Sequence, residues 1–177
     1  MNSTFRLFGT LLLLCLAGFA LFLAGCGSSS KTNSSQPMDV TTGTWTLKIT
    51  PTSGTGGTIT ATFKTLSCSE TNIPLGPDYT IPSISGTVCV QTTSISGMGS
   101  EAIVLGLGAN PVPANSTTTI TQGYLALQDS NGNYDAFDFT GTFTASSMSV
   151  SGTYTPDPGC INGCPEQGGG TFTGTMN

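Results

Sequence analysis

The chain has 177 residues, with four Lys and Arg against nine Asp and Glu, no His, and a formal net charge of −5. That balance cannot neutralise a run of phosphates, so nucleic acid is not an expected partner, and an anionic membrane surface would repel the chain. Without His there is no usual general base, no Ser–His or Cys–His nucleophile pair and no imidazole metal ligand, so the residues point to a non-enzyme with no cofactor and no metal. Charged residues make up only 7% of the chain. The Gly, Ser and Thr that replace them favour strands, turns and bulges over helix.

At the N-terminus, Arg6 precedes Leu7–Gly25, nineteen residues in which Thr10 is the only clearly polar side chain. That length suits either a bilayer span or a long signal segment. The run ends in Leu23-Ala24-Gly25-Cys26, then Gly27 and a serine tract. An ordinary cleavage site needs a small residue three before the cut, and Leu23 is not small.

The tetrapeptide resembles the lipobox of bacterial lipoproteins at all four positions. The resemblance implies that residues 1–25 are a signal peptide and that Cys26 takes a diacylglyceryl group and palmitate-like acyl chains. It also implies that the lipid bilayer is the partner that holds the exported protein. Two or three chains anchor firmly, since each buried methylene contributes about 0.8 kcal/mol. By likeness to Gram-negative lipoproteins, Gly27 in place of Asp implies delivery to the outer membrane. Removing residues 1–25 leaves Lys31, Lys48 and Lys64 against all nine carboxylates, a net −6, so attachment must rest on lipid. Residues 27–42, GSSSKTNSSQPMDVTT, have little to bury. With Cys26 they are expected to form a flexible tether, its coil spanning about 20–24 Å.

From 43 to 177 a single β domain is expected. Trp45, Leu47 and Ile49 alternate with polar residues, as do Ile59, Ala61 and Phe63. Val88 and Val90 flank Cys89, and Ile103, Leu105 and Leu107 follow. A strand near Thr117–Ile120 leads to Leu125 and Leu127, and Phe137, Phe139 and Phe143 share one parity. Met148, Val150 and Tyr154 share the next, and a last strand holds Phe172 and Met176. About eight strands with no helix-length crossover predict an antiparallel up-and-down meander, closed as a barrel or split into a β-sandwich.

Two hairpins carry register. A three-residue loop with a left-handed Gly132 sets Leu125 opposite Phe137. A short turn within 144–147 would set Phe143 opposite Met148, Gly141 opposite Val150, Phe139 opposite Gly152 and Phe137 opposite Tyr154. Large residues facing glycines would then suit a strongly curved sheet.

Gly43-Thr44-Trp45 looks like the G-x-W opening of lipocalins, which implies an eight-stranded barrel enclosing a small apolar ligand. The run Ser151-Gly-Thr-Tyr154, Gly159-Cys160 and Gly170–Thr175 is similar to a set of Thr/Gly-rich bacterial lipoproteins, which implies a shared fold and no activity.

Of the six cysteines, Cys15 leaves with the signal and Cys26 is lipidated. The remaining four read as two disulfides in an exported domain, with three possible connectivities; Cys68 ends one strand region and Cys89 begins another, and the Gly/Pro loop around Cys160 and Cys164 can curl to join them, which favours Cys68–Cys89 with Cys160–Cys164. The C-x-x-C pairs of a zinc site are missing, and no helix start lowers a thiol pKa for redox work. Asp129-x-Asn131-x-Asn133 starts like a calcium loop, but Tyr134 and Thr140 stand where the required Gly and acid belong, so it reads as a turn.

The functional expectation is an envelope lipoprotein whose barrel binds a small apolar ligand or another envelope component, with Trp45, Leu125, Phe137 and Phe139 as ligand-facing or core side chains. The alternative is a structural or adhesive surface module without a pocket. An interior cavity favours the first, and a filled core the second.

Overall fold

The computed structural model describes residues 36–70, 72–76, 79–128, 134–157 and 168–177. Its strands in chain order are β1 (Trp45–Pro51), β2 (Gly57–Leu66), β3 (Ile73–Pro74), β4 (Thr80–Ile81), β5 (Val88–Ser96), β6 (Ser100–Leu107), β7 (Thr117–Gln128), β8 (Tyr134–Thr144), β9 (Ser149–Pro156) and β10 (Gly170–Met176). All but β3 and β4 form one closed antiparallel barrel in the order β1-β10-β9-β8-β7-β6-β5-β2. Apart from the β3–β4 insertion, each strand pairs with its chain neighbour, and β10 closes on β1. The meander is therefore a barrel and not a sandwich.

Alternation explains the closure. Trp45, Leu47, Ile49, Ile59, Ala61 and Phe63 point inward and are buried, while the threonines between them face out. In β7 the parity must change, because Ile120 and Leu125 both face inward. A bulge between Ile120 and Gly123 makes that change. It leaves Thr121 and Gln122 turned outward, where Thr121 Oγ1 donates to Ser85 O (2.5 Å) and Gln122 Oε1 accepts from Ser85 N (2.8 Å).

The β7–β8 register follows the hydrophobic match, with Leu125 opposite Phe137. The Gly132 turn expected to produce it lies outside the described residues. The β8–β9 register differs from expectation by two residues. Phe143 faces Val150, Gly141 faces Gly152, Phe139 faces Tyr154 and Phe137 faces Pro156. The connection is longer than a tight turn, because a 3-10 turn at Ala145–Ser147 ends on Met148 at φ 46°. Ala145 is fully buried, and its N–H donates to Ser116 O at 3.0 Å, which holds this turn against the β6–β7 connection.

The tether boundary at residue 42 also needs correction. Met38 and Val40 are buried, and Met38 exchanges two 2.8 Å backbone hydrogen bonds with Val112. Trp45 Nε1 donates to Val40 O at 2.9 Å. Asp39 accepts from Thr41 N–H (2.9 Å), Thr41 Oγ1 (2.8 Å) and Asn110 Nδ2 (2.9 Å), and Val40 N–H donates to Asn110 Oδ1 (3.0 Å). Composition hid two apolar anchors inside a polar stretch. The segment 38–44 closes the end of the barrel where β1 begins, hereafter the lower end.

Candidate functional site

The barrel interior is the expected site, and among the described residues side chains fill it. Trp45 meets Phe143 edge to face with centroids 5.0 Å apart, and Phe139 stacks on Phe172 at 3.9 Å. Phe137 meets Tyr154 edge to face at 5.4 Å. Room for these rings comes from inward-facing glycines. Gly152 sits between Gly141 and Phe172, and a Cβ there would lie 2.7 Å from Gly141 Cα and 2.8 Å from Phe172 Cε1. A Cβ on Gly174 would lie 2.9 Å from Val150 Cγ1. Large side chains on one strand thus occupy the space left on the next.

The void remaining at the centre is ≈ 10 Å³, and Trp45, Phe139, Phe143 and Phe172 are among its entirely apolar lining. Sites for small ligands typically enclose about 300–1,000 Å³. A space this small holds about one water at most, and its walls offer that water no hydrogen bond. Of the four expected ligand-facing residues, Trp45 and Phe139 border the void. Leu125 and Phe137 instead pair with one another farther up the barrel. All four are at most 2% exposed, so they act as core.

A second apolar cluster lies outside the barrel and was not expected. The insertion between β2 and β5 folds back over the outer faces of β5, β6 and β7. There Ile73, Leu75, Ile81 and Ile84 bury Val104, Ala102 and Ala126. Cys68–Cys89 forms the expected disulfide across the insertion, with a Cα–Cα distance of 5.1 Å. Val104 falls at an outward position in a strand that also buries Ile103 and Leu105 inward. The continuous run Ala102–Leu107 was the sequence signal for a strand covered on both faces.

Over this insertion lies a polar cluster that links residues far apart in the chain. Tyr79 OH donates to Asp157 Oδ2, and Gln122 Nε2 donates to Tyr124 OH at 2.5 Å. Tyr124 pairs with Asp138, which places both on the outer face. Burial, then the nearby Asp157 charge, pushes the Asp138 carboxyl above the usual carboxylate range. Burial pushes the Tyr79 hydroxyl well above the usual phenol range, and its hydrogen bond to Asp157 adds to this. A phenol held neutral and two carboxylates, with no nucleophile beside them among the described residues, tie the insertion to the barrel and set up no acid–base pair of separated roles. Asp135 and Asp138, three apart in β8, take opposite faces of the strand. No sequence spacing marks the Tyr79–Asp157 contact, which joins residues 78 positions apart.

Among the described residues no three His, Cys, Asp or Glu side chains converge as a cation site. Two hollows on the outer wall, around Thr46, Lys48, Thr58 and Thr173, are open and largely hydroxyl-lined, with no aromatic ring among their described lining residues. Cys26, the Cys160–Cys164 pair and the Asp129–Asn133 turn lie outside the described residues. No family model, no curated protein and no solved structure matches this chain.

Proposed function

We propose that this protein is a lipid-anchored, non-catalytic module of the bacterial cell envelope, and that its barrel is a rigid body presented to other envelope or surface components and holds no apolar cargo. The observation that carries the second half is the filled interior, with a central void of ≈ 10 Å³ where a ligand would need tens of times more. The lipobox-like Leu23-Ala24-Gly25-Cys26 supports the anchor, and Gly27 supports the outer membrane as its destination. A chain with three lysines after residue 25 has no basic patch to bind anionic lipid, so the acyl groups must do it.

The test has two readouts on protein from an exporting bacterial host. Metabolic palmitate should label the wild type, while Cys26→Ser should lose the label and accumulate as the unprocessed chain. A fluorescent fatty acid titrated into the purified protein should show no saturable transfer from Trp45. Label retained by Cys26→Ser would refute the anchor, and saturable one-to-one binding would restore the ligand carrier.

A further inference from the structure

We infer that the Cys68–Cys89 disulfide is a redox latch. Opened by a dithiol reductant, it frees a strap, residues 72–76 and 79–87, from the outer wall of β6 and β7 while the barrel stays closed. The strap leaves β2 and re-enters β5 at the lower end. It runs up the wall to Tyr79, which donates to Asp157 just beyond β9. The eight barrel strands close on one another without it. Its own two strands have two residues each, too short to hold a hairpin by themselves. Its apolar side chains Ile73, Leu75, Ile81 and Ile84 share no cluster with the barrel interior. They cover a strip of Ala102, Val104 and Ala126 that the alternation of β6 and β7 turns outward.

The strap is seated by backbone fit. Gly106 faces the Ser85 carbonyl so closely that a Cβ on it would collide there, and a Cβ on Gly86 would lie 2.9 Å from Gly106 Cα. Three polar ties along the strap are exposed to water: Ser85 N–H to Gln122 Oε1, Thr121 Oγ1 to Ser85 O, and Gln91 Nε2 to Pro74 O. Such bonds replace bonds to water at little net gain. The disulfide closes the neck of the strap and removes loop entropy that two dipeptide strands and four buried side chains must otherwise offset. Opening it therefore loosens the strap first.

The two sulfurs are unequal. Cys89 is fully buried, its Sγ 3.9 Å from the Ile84 carbonyl, while Cys68 is partly exposed at the neck. A thiolate of the reductant attacks Cys68 Sγ, and the S–S electron pair leaves on Cys89 Sγ, which takes up a proton. The reductant's second thiol gives up its proton and displaces Cys68 from this mixed disulfide, and Cys68 Sγ takes up a proton in turn. One protein disulfide and one dithiol thus become two protein thiols and one cyclic disulfide.

The experiment adds dithiothreitol to the full-length protein in mild detergent and follows hydrogen exchange by mass spectrometry. Strap amides, Asn72 bonded to Pro82 O and Leu75 bonded to Tyr79 O, should exchange about 100-fold faster, the loop-closure effect for a separation of 21. Amides of β1 and β10 should change by less than about twofold. Glutathione disulfide, added once the dithiol is removed, should restore the slow rates. Cys68→Ala combined with Cys89→Ala should exchange fast at the strap from the start and ignore the reductant, which separates this latch from any other disulfide in the chain. A brief exposure to glutathione alone should leave the mixed disulfide on Cys68 and the free thiol on Cys89. Glutathione found on Cys89 overturns the order of attack. A disulfide that resists the dithiol until β1 and β10 also exchange, or a strap that keeps its slow amides once both thiols are free, overturns the latch.

Discussion

At Gly152 the absence of a methyl group decides how three strands meet. A Cβ there would press on the Thr140 carbonyl as well as on Gly141 Cα and the Phe172 ring. Gly152→Ala should therefore cost about 1–3 kcal/mol, the usual range for overpacking, read as a lower urea midpoint. Adding Phe172→Leu should not restore stability, because the Thr140 carbonyl is backbone and cannot move aside. Full rescue would show that the ring alone sets the limit. Asp39 supplies the pH-dependent counterpart. Burial alone would raise its carboxyl, but hydrogen bonds from Thr41 N–H, the Asn110 side chain and the Thr41 hydroxyl outweigh it, so the group is held below its usual value. A depressed carboxyl stabilises the fold fully above its unfolded pKa of about 4, and that contribution is lost as pH falls through the lower folded value. Asp39→Asn should thus cost at most about 1 kcal/mol at pH 7, since the site is partly solvated. The two proteins should converge in acid, and a difference that persists there would remove Asp39 as its source.

The inserted segment between β2 and β5 is the element most dependent on a covalent tie. It buries a modest apolar set and closes a loop of sequence separation 21. Replacing Cys68 and Cys89 together by Ala should cost about 3 kcal/mol in the chain-entropy account. Amides of the insertion, such as Leu75 N–H bonded to Tyr79 O, should then exchange far faster while those of β1 and β10 change little. Uniform acceleration around the barrel would show that the insertion is integral to the fold. The insertion was hard to read from sequence because Ile73, Leu75, Ile81 and Ile84 follow no sustained period and pack on an outer wall that the alternation rule assigns to solvent. The strands themselves were legible wherever one face met water. The β7–β8 register was legible because sliding it would set Leu125 against Asp138. The β8–β9 register was not, since nothing in Ala145–Met148 announces a 3-10 turn ending on a left-handed methionine.

For the whole molecule, the barrel and its core residues could be read from the chain, but whether that core is hollow could not. Trp45, Leu125, Phe137 and Phe139 would point inward around a cavity or around one another with the same pattern. The difference lies in volume, set by how Gly141, Gly152 and Gly174 interleave with Phe172, Leu47 and Val150 across strands distant in sequence. A filled interior is what separates a presented rigid body from a ligand carrier. Native mass spectrometry of the folded protein, extracted from its own envelope in mild detergent, tests that separation most directly. The expected mass equals the processed chain plus its acyl groups, whereas a stoichiometric small apolar molecule retained in the native ion and shed on unfolding would make the barrel a ligand carrier.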